Sequence, residues 1–329
     1  PMLRLRRTIA CLAVLVLSMS MLTGCASKSA DTSAAEEPAK LAPIRIGVLP
    51  TEDSLPLWVA DKEGLFADAG LDVSFVNFQA AAERDAAFTA GEIDAFMGDM
   101  IAAALLEQGG SGVTIGTIML GGTPAEGRFG IAVPADSAYQ DLSALAGVPV
   151  GTSSGTIQEY VLDGLMRQAG VPADKVVTEE VKKVPVRFEL LMAGKLKAAA
   201  LPEPFLSLAE AQGAKIIASD TEGENLSQTI LGFSDNYLVA PGGIEAMTVL
   251  LDVWNEAVTL ANASPDAYRA TLVEQARLPE PIKDSYKISV YPLADSPSQA
   301  QVDSVLAWMD AKKLLGKPVS FEDLVMVTP

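Results

Sequence analysis

Five consecutive residues, Gly151-Thr152-Ser153-Ser154-Gly155, satisfy the G-x-S-x-G pattern. In that pattern a serine stands on a sharp strand-to-helix turn and attacks a carbonyl. The attack needs a base for the serine proton, and the 329 residues contain no histidine. A Ser-Lys dyad is the remaining route, and nothing places a lysine beside the turn. Lack of histidine also removes Cys-His pairs and His-ligated zinc or haem. The same turn has two other readings. A short polar turn that opens a helix offers backbone N–H groups to an anionic oxygen cluster; a plain βα turn merely uses its serine as an N-cap. Asp220-Thr221-Glu222-Gly223-Glu224-Asn225 is acidic and contains glycine. It lacks calcium-loop spacing and reads as a solvated turn. With 42 acidic against 24 basic residues, net −18, a nucleic-acid partner is excluded, because phosphates demand a basic face.

The first 25 residues read as an address. Arg4, Arg6 and Arg7 precede an apolar run from Ile9 to Met21, and Leu22-Thr23-Gly24-Cys25 follows. The run is too short to span a bilayer, which takes about 20 residues. It resembles a bacterial lipoprotein signal, which implies cleavage after residue 24 and lipid modification of Cys25. Cleavage takes three of the 24 basic residues and no acid, which leaves 21 against 42. Cys11 departs with the signal and Cys25 is acylated, so no thiol is left for disulfide, metal or redox work. Residues 25–43, rich in Ala, Ser, Glu and Lys without apolar periodicity, form a flexible tether.

Beyond the tether, short apolar strands alternate with helices that stop at glycine. Strands are predicted at Ile44–Pro50, Leu71–Phe78 and Ala95–Met97, with helices at Leu57–Glu63 and Arg84–Ala90. The pattern then restarts: strands at Val148–Gly151, Lys175–Val181, Ala198–Leu201 and Lys215–Ala218, helices at Thr156–Ala169, Val186–Ala193 and Phe205–Gln212. Such alternation argues for βαβ units and mostly parallel sheets. Ile46-Gly47 matches Val150-Gly151 at an offset of 104, and the run Ala90–Ala95 matches Ala193–Ala198 at an offset of 103. A near-constant offset across different elements indicates an internal repeat. The last third is helical, with Met247, Leu250, Leu251, Trp254, Val258 and Ala261 on one face and Val302, Val305, Leu306 and Met309 on another. Trp254 and Trp308 are therefore core residues. A strand at Phe233–Ala240 would return the chain to the first lobe.

Pro56-Leu57-Trp58-Val59-Ala60-Asp61-Lys62-Glu63-Gly64-Leu65-Phe66 is followed by Ala69-Gly70-Leu71-Asp72-Val73. Together with Ala90–Ala95, Leu142–Gly151 and Glu203-Pro204-Phe205, this stretch resembles the solute-binding proteins of nitrate, sulfonate, taurine and thiamine-precursor ABC importers. The resemblance implies an α/β, type II periplasmic-binding-protein fold: two α/β lobes, a ligand cleft and two inter-lobe crossings. Residues 44–130 and 235–329 form lobe 1 and residues 131–234 lobe 2. Lys197 departs from the pattern, standing where the family more often has Asp, as Asp94 does in lobe 1.

In open parallel sheets, ligands lie beyond the carboxyl ends of the strands. That rule selects Thr51 to Ser54, Gln79 with Ala80, and Gly98 with Asp99 from the first lobe, and Gly151 to Thr156 from the second. An oxyanion ligand would use Ser153, Ser154, Gly155 and Thr156 with Thr51 or Gln79, and Arg128 or Arg187 as counter-charges. A heteroaromatic, thiamine-precursor-like ligand would stack on Trp58, Phe78, Phe129, Phe188, Phe233 or Tyr237 and pair with Glu52, Asp53, Asp99 or Glu203. The resemblance further implies a monomer without catalysis or cofactor. It would capture a small molecule for an ABC permease with its ATPase, held in the cell envelope by its lipid anchor and facing the periplasm or cell exterior. Two alternatives stay open: a lipoprotein that presents its ligand to a membrane receptor, and a relative of the yeast-type pyrimidine-precursor synthases. The latter use His and Cys, neither of which the mature chain offers as a free side chain.

Replacing Cys25 by Ser tests the address. Fractionation should then find soluble or unprocessed protein, because three acyl tails exceed the two signals that stable anchoring takes. Protein still anchored at mature mass would refute the assignment.

Overall fold

The computed structural model describes residues 40–326, so the basic flank, the apolar run, Cys25 and most of the tether lie outside the described residues. In the first half Ile44–Val48 (β1), Leu55–Lys62 (α1), Leu65–Asp68 (α2), Val73–Asn77 (β2), Ala81–Thr89 (α3), Ala95–Asp99 (β3), Met100–Gln108 (α4) and Val113–Leu120 (β4) follow one another. The second lobe holds Phe129–Val133 (β5), Pro149–Thr152 (β6), Ile157–Gln168 (α5), Val177–Glu180 (β7), Val184–Met192 (α6), Ala199–Pro202 (β8), Phe205–Ala211 (α7) and Lys215–Ser219 (β9). Thr229–Ser234 (β10), Asp235–Leu238 (α8), Gly243–Ala263 (α9), Arg269–Gln275 (α10), Gln299–Ala311 (α11) and Phe321–Leu324 (α12) complete the described chain.

Two five-stranded sheets result, ordered β2-β1-β3-β10-β4 and β7-β6-β8-β5-β9. The orders are equivalent position by position. In each, the fourth place is taken by a strand antiparallel to both neighbours, β10 between β3 and β4, and β5 between β8 and β9. Side-chain packing repeats as well. A Cβ added to Gly47 would lie 2.5 Å from Ile93 Cδ1 and 3.3 Å from Arg84 Cγ; at Gly151 the neighbours are Leu196 Cδ1 at 2.7 Å and Arg187 Cγ at 3.4 Å. The repeat read from the sequence is thus a repeat of packing, with glycine at an equivalent strand position where the Ile93 or Leu196 side chain, in the loop before the next strand, lies too close for a Cβ.

Residues 131–234 were expected in the second lobe, with a strand at Phe233–Ala240. Instead β10 belongs to the first sheet and ends at Ser234, while β5 begins the second sheet at Phe129. Thr229-Ile230-Leu231-Gly232-Phe233 carries the apolar content of a buried strand. Ser234, Asp235 and Asn236 are poor strand formers, and an acid suits the first turn of the helix that follows.

The crossings lie side by side. Phe129 N–H donates to Asp220 Oδ1 at 2.8 Å, Ser227 Oγ donates to Asp220 Oδ2 at 2.6 Å, and Asn225 Nδ2 donates to the Glu126 carbonyl at 2.6 Å. Asp220 and Asn225 are buried, which corrects the solvated-turn reading. Only Glu222, Gly223 and Glu224 at its centre are exposed. Helix α9 packs on α1 and reaches β4, and the Trp254 indole, buried there, donates to the Pro292 carbonyl at 3.1 Å. Helix α11 packs on α4 and also reaches the second lobe. Trp308 Nε1 donates to Asp163 Oδ2 at 2.8 Å, and Lys312 Nζ lies 2.8 Å from Glu159 and 2.7 Å from Asp163.

Asp220→Ala would leave the Phe129 N–H without its acceptor and the Ser227 hydroxyl with only the longer bond to Asn225 Oδ1. Urea denaturation should show a loss of about 2–4 kcal/mol. A loss within error of zero would mean that the crossings are not tied by this carboxylate.

Candidate functional site

The chain leaves β1 into the turn Glu52–Ser54, whose three side chains are all buried. Asp53 Oδ1 accepts from Thr229 Oγ1 at 2.7 Å, where β10 enters the first sheet. Glu52 Oε2 accepts from Ser289 Oγ at 3.2 Å, and the Glu52 carbonyl accepts from the Tyr291 hydroxyl at 2.8 Å. From the second lobe, beyond β8, comes Glu203. Its carboxylate accepts from the Ser207 hydroxyl at 2.8 Å and backbone N–H at 3.0 Å, and pairs with Arg128 at 3.3 Å. The carboxyl ends of the two sheets therefore put Glu52 in the field of both Asp53 and Glu203. Burial, then the Glu203 and Asp53 charges, push the Glu52 carboxyl from 4.5 up to about 8. Burial also raises Asp53 and Glu203. Tyr286 rises well above its usual value through burial first and then the Glu52 and Glu203 charges, which places its phenol in the same group. The Ser54 hydroxyl is buried beside these acids without a partner, and the Thr51 hydroxyl lies near enough to Asp53 to temper its rise without meeting hydrogen-bond geometry.

Other expected residues take different roles. Asp99 accepts from Ala102 N–H at 2.8 Å and caps α4. Gln79, exposed at the end of the edge strand β2, accepts from Arg277 at 2.8 Å. Trp58 is buried in the first-lobe core with β1 and α9. Tyr237 donates to the Ala42 carbonyl at 3.0 Å, just before β1 begins. Because β10 runs antiparallel, the helix after it emerges at the amino end of the sheet, away from the mouth. Arg128 is spent on Glu203 and Glu210.

The turn Ser153–Thr156 joins β6 to α5, but its donors are already used. Ser154 N–H and Oγ donate to Glu180 Oε2 at 2.9 and 2.5 Å, and Gly155 N–H donates to Glu159 Oε2 at 2.6 Å. Thr156 Oγ1 donates to the Ser153 carbonyl at 2.7 Å and caps α5 by accepting from Gln158 N–H at 3.3 Å. The hydrogen bond from Ser154 holds the Glu180 carboxyl below its usual range. Such a turn has no spare backbone N–H at Ser154 or Gly155 for an anion. Tyr286, Ser289 and Tyr291 escape sequence reasoning, since they lie between α10 and α11 in a stretch without helical or strand period.

Glu52 gives a pH test. Its folded carboxyl holds the proton more tightly than the unfolded one, so the folded state binds more protons between about pH 4.5 and about pH 8. Stability must therefore fall as pH rises through that window, by at most about 1.4 kcal/mol per pH unit from this group. Denaturation midpoints of Glu52→Gln measured across the window should fall less steeply than those of the wild type. Parallel profiles would show that Glu52 is not the group titrating.

Comparison with known proteins adds the following. No curated protein matches. The alkanesulfonate-binding protein SsuA of Xanthomonas axonopodis pv. citri, solved with MOPS bound, has a TM-score of 0.67 at 23% identity, covering 86% of this chain and 96% of that one. The periplasmic aliphatic sulphonate binding protein SsuA of Escherichia coli has a TM-score of 0.74 at 20% identity, with 88% and 98% covered. The desulfurization enzyme DSZB has a TM-score of 0.65 at 16% identity, with 86% and 96% covered. These likenesses, with the paired sheets, establish the two-lobed α/β fold of type II periplasmic binding proteins. A family pattern described as NMT1-like runs from residue 37 to residue 271, through elements of both sheets, and the chain belongs to the NMT1-like family.

Proposed function

We propose that this protein is an extracytoplasmic solute-binding lipoprotein, tethered through Cys25, that takes up a small molecule between its lobes and delivers it to an ABC importer. The observation that carries the reading is the meeting of Glu52 and Asp53 from one lobe with Glu203 from the other, at the carboxyl ends of two equivalent sheets. Polar side chains from both lobes in one desolvated space suit a small ligand that touches both at once. The sulfonate-binding relatives support the role. DSZB shows that the fold also hosts catalysis, so the function rests on the site and not on the fold. Here the serine turn has carboxylates for neighbours and no histidine, which supports binding without turnover.

The two ligand classes implied by the sequence make opposite demands. A sulfonate- or nitrate-like anion must avoid the acids of the first lobe, whereas a heteroaromatic ring nitrogen pairs with them. A thermal-shift screen of sulfonates, nitrate, pyrimidines and short organic acids separates the classes. A ligand at about 100 times its Kd should stabilise the fold by roughly 2.7 kcal/mol, and mass spectrometry after long incubation should return it unchanged. Steady product formation by the pure protein would overturn the reading.

A further inference from the structure

The internal repeat sets two arginines against each other. Arg84 on α3 and Arg187 on α6 each lay their Cγ against the equivalent strand glycine, Gly47 or Gly151. Both are buried, at 2% and 0% exposure. In the first lobe the charge is neutralised within the chain. Arg84 Nε and Nη2 donate to Asp85 Oδ1 at 3.0 and 2.7 Å, and Nη1 donates to the Met97 carbonyl at 2.6 Å. In the second lobe the residue after the arginine is Phe188 instead of an acid. Arg187 Nη2 donates to Gln158 Oε1, while Nε and Nη1 are buried with no partner. Among the described residues no carboxylate forms an ion pair with it.

A buried guanidinium without a counter-ion is costly, and charge-assisted bonds to an oxyanion offset that cost well. Burial lowers the Arg187 guanidinium to about 10, which leaves it charged at neutral pH. Gln158 lies in the first turn of the 12-residue helix α5, so the guanidinium also sits at the positive end of that helix. Glu180 is the acid whose field reaches Arg187, but its Oε2 is held by the Ser154 N–H and hydroxyl.

We infer that Arg187 is the anion anchor of the second lobe, pairing through its unpartnered N–H groups with a carboxylate, sulfonate or phosphate carried by the bound solute. The inference rests on the solute-binding reading above and adds a polarity to it. The acidic end of the ligand faces Arg187 in lobe 2, because in lobe 1 Asp85 already occupies the equivalent arginine and the buried acids Glu52 and Asp53 stand after β1.

The test is titration of the full mature chain, followed by calorimetry and thermal shift. The probes are ethanesulfonate, succinate and inorganic phosphate, with ethyl methyl sulfone and pyrimidine as uncharged controls. Arg187→Met removes the charge and keeps the stem; Arg187→Gln does the same if the first variant fails to fold; Arg187→Lys keeps the charge. At least one acidic probe should stabilise the wild type, bind at least tenfold more weakly to Arg187→Met, and recover in part with Arg187→Lys, while the neutral variant melts no lower than wild type without probe. Equal affinity of wild type and neutral variant for the acidic probe overturns the anchor. Stabilisation by uncharged probes alone also overturns it, yet leaves solute binding standing. If no probe in either this set or the wider screen binds the wild type, the solute-binding reading itself falls.

Discussion

Each sheet is completed by a strand that arrives from the other lobe, and the remaining architecture depends on that exchange. β5 follows β4 but pairs with β8 and β9, and β10 follows β9 but pairs with β3 and β4. Both crossings must therefore run between the same two neighbouring sheets, which brings Asp220 and Asn225 against Phe129 and Glu126. A buried crossing cannot leave its backbone groups unpaired, and these two side chains supply the missing acceptors and donors. The same geometry turns the carboxyl ends of the parallel strands toward one another and so assembles Glu52, Asp53 and Glu203.

The two lobes treat their equivalent buried arginines differently, although they share a fold. Position for position, Arg84 has Asp85 and Arg187 has Phe188, a single replacement that leaves one buried cation neutralised and the other not. Of the buried carboxylates, Glu52 and Asp53 come from the first lobe and Glu203 from the second; burial first, and then the Glu203 and Asp53 charges, raise the Glu52 carboxyl. Global negative charge says nothing about this arrangement, because the local field of a dry cleft is set by a handful of groups. An enzyme such as DSZB and a binding protein can share a fold and still differ in what a few positions do.

Much of the fold was legible because its signals are local. Glycine stops after apolar helices, the apolar run of β1 and the matched offsets of Gly47 with Gly151 and Ile93 with Leu196 all survive in the structure. The boundary at β10 was misplaced because Phe233–Ala240 begins with the tail of a strand and, after the polar Ser234-Asp235-Asn236, resumes an apolar run that is helical. The site was less legible, since its contacts are not local. Nothing in the sequence near Ser154 reveals that parallel pairing sets Thr152 beside Glu180, and it is that register which brings an acceptor to the donors of the turn. Tyr237 was misassigned for a directional reason: it follows an antiparallel strand, so it emerges at the wrong end. Tyr286 and Tyr291 carry no periodic mark at all.

The exchanged strands also impose an order in time. Asp99 of β3 waits for Thr229 of β10, and Thr114 of β4 waits for Phe233. Until then the first lobe presents two open strand edges and a strip of uncovered apolar side chains, the exposure that invites pairing with other chains. Long-range pairing of this kind is slow to form. A chain made amino end first must therefore keep its first lobe unfinished until most of its second lobe has followed, and the interval is one in which a holding chaperone has something to grip.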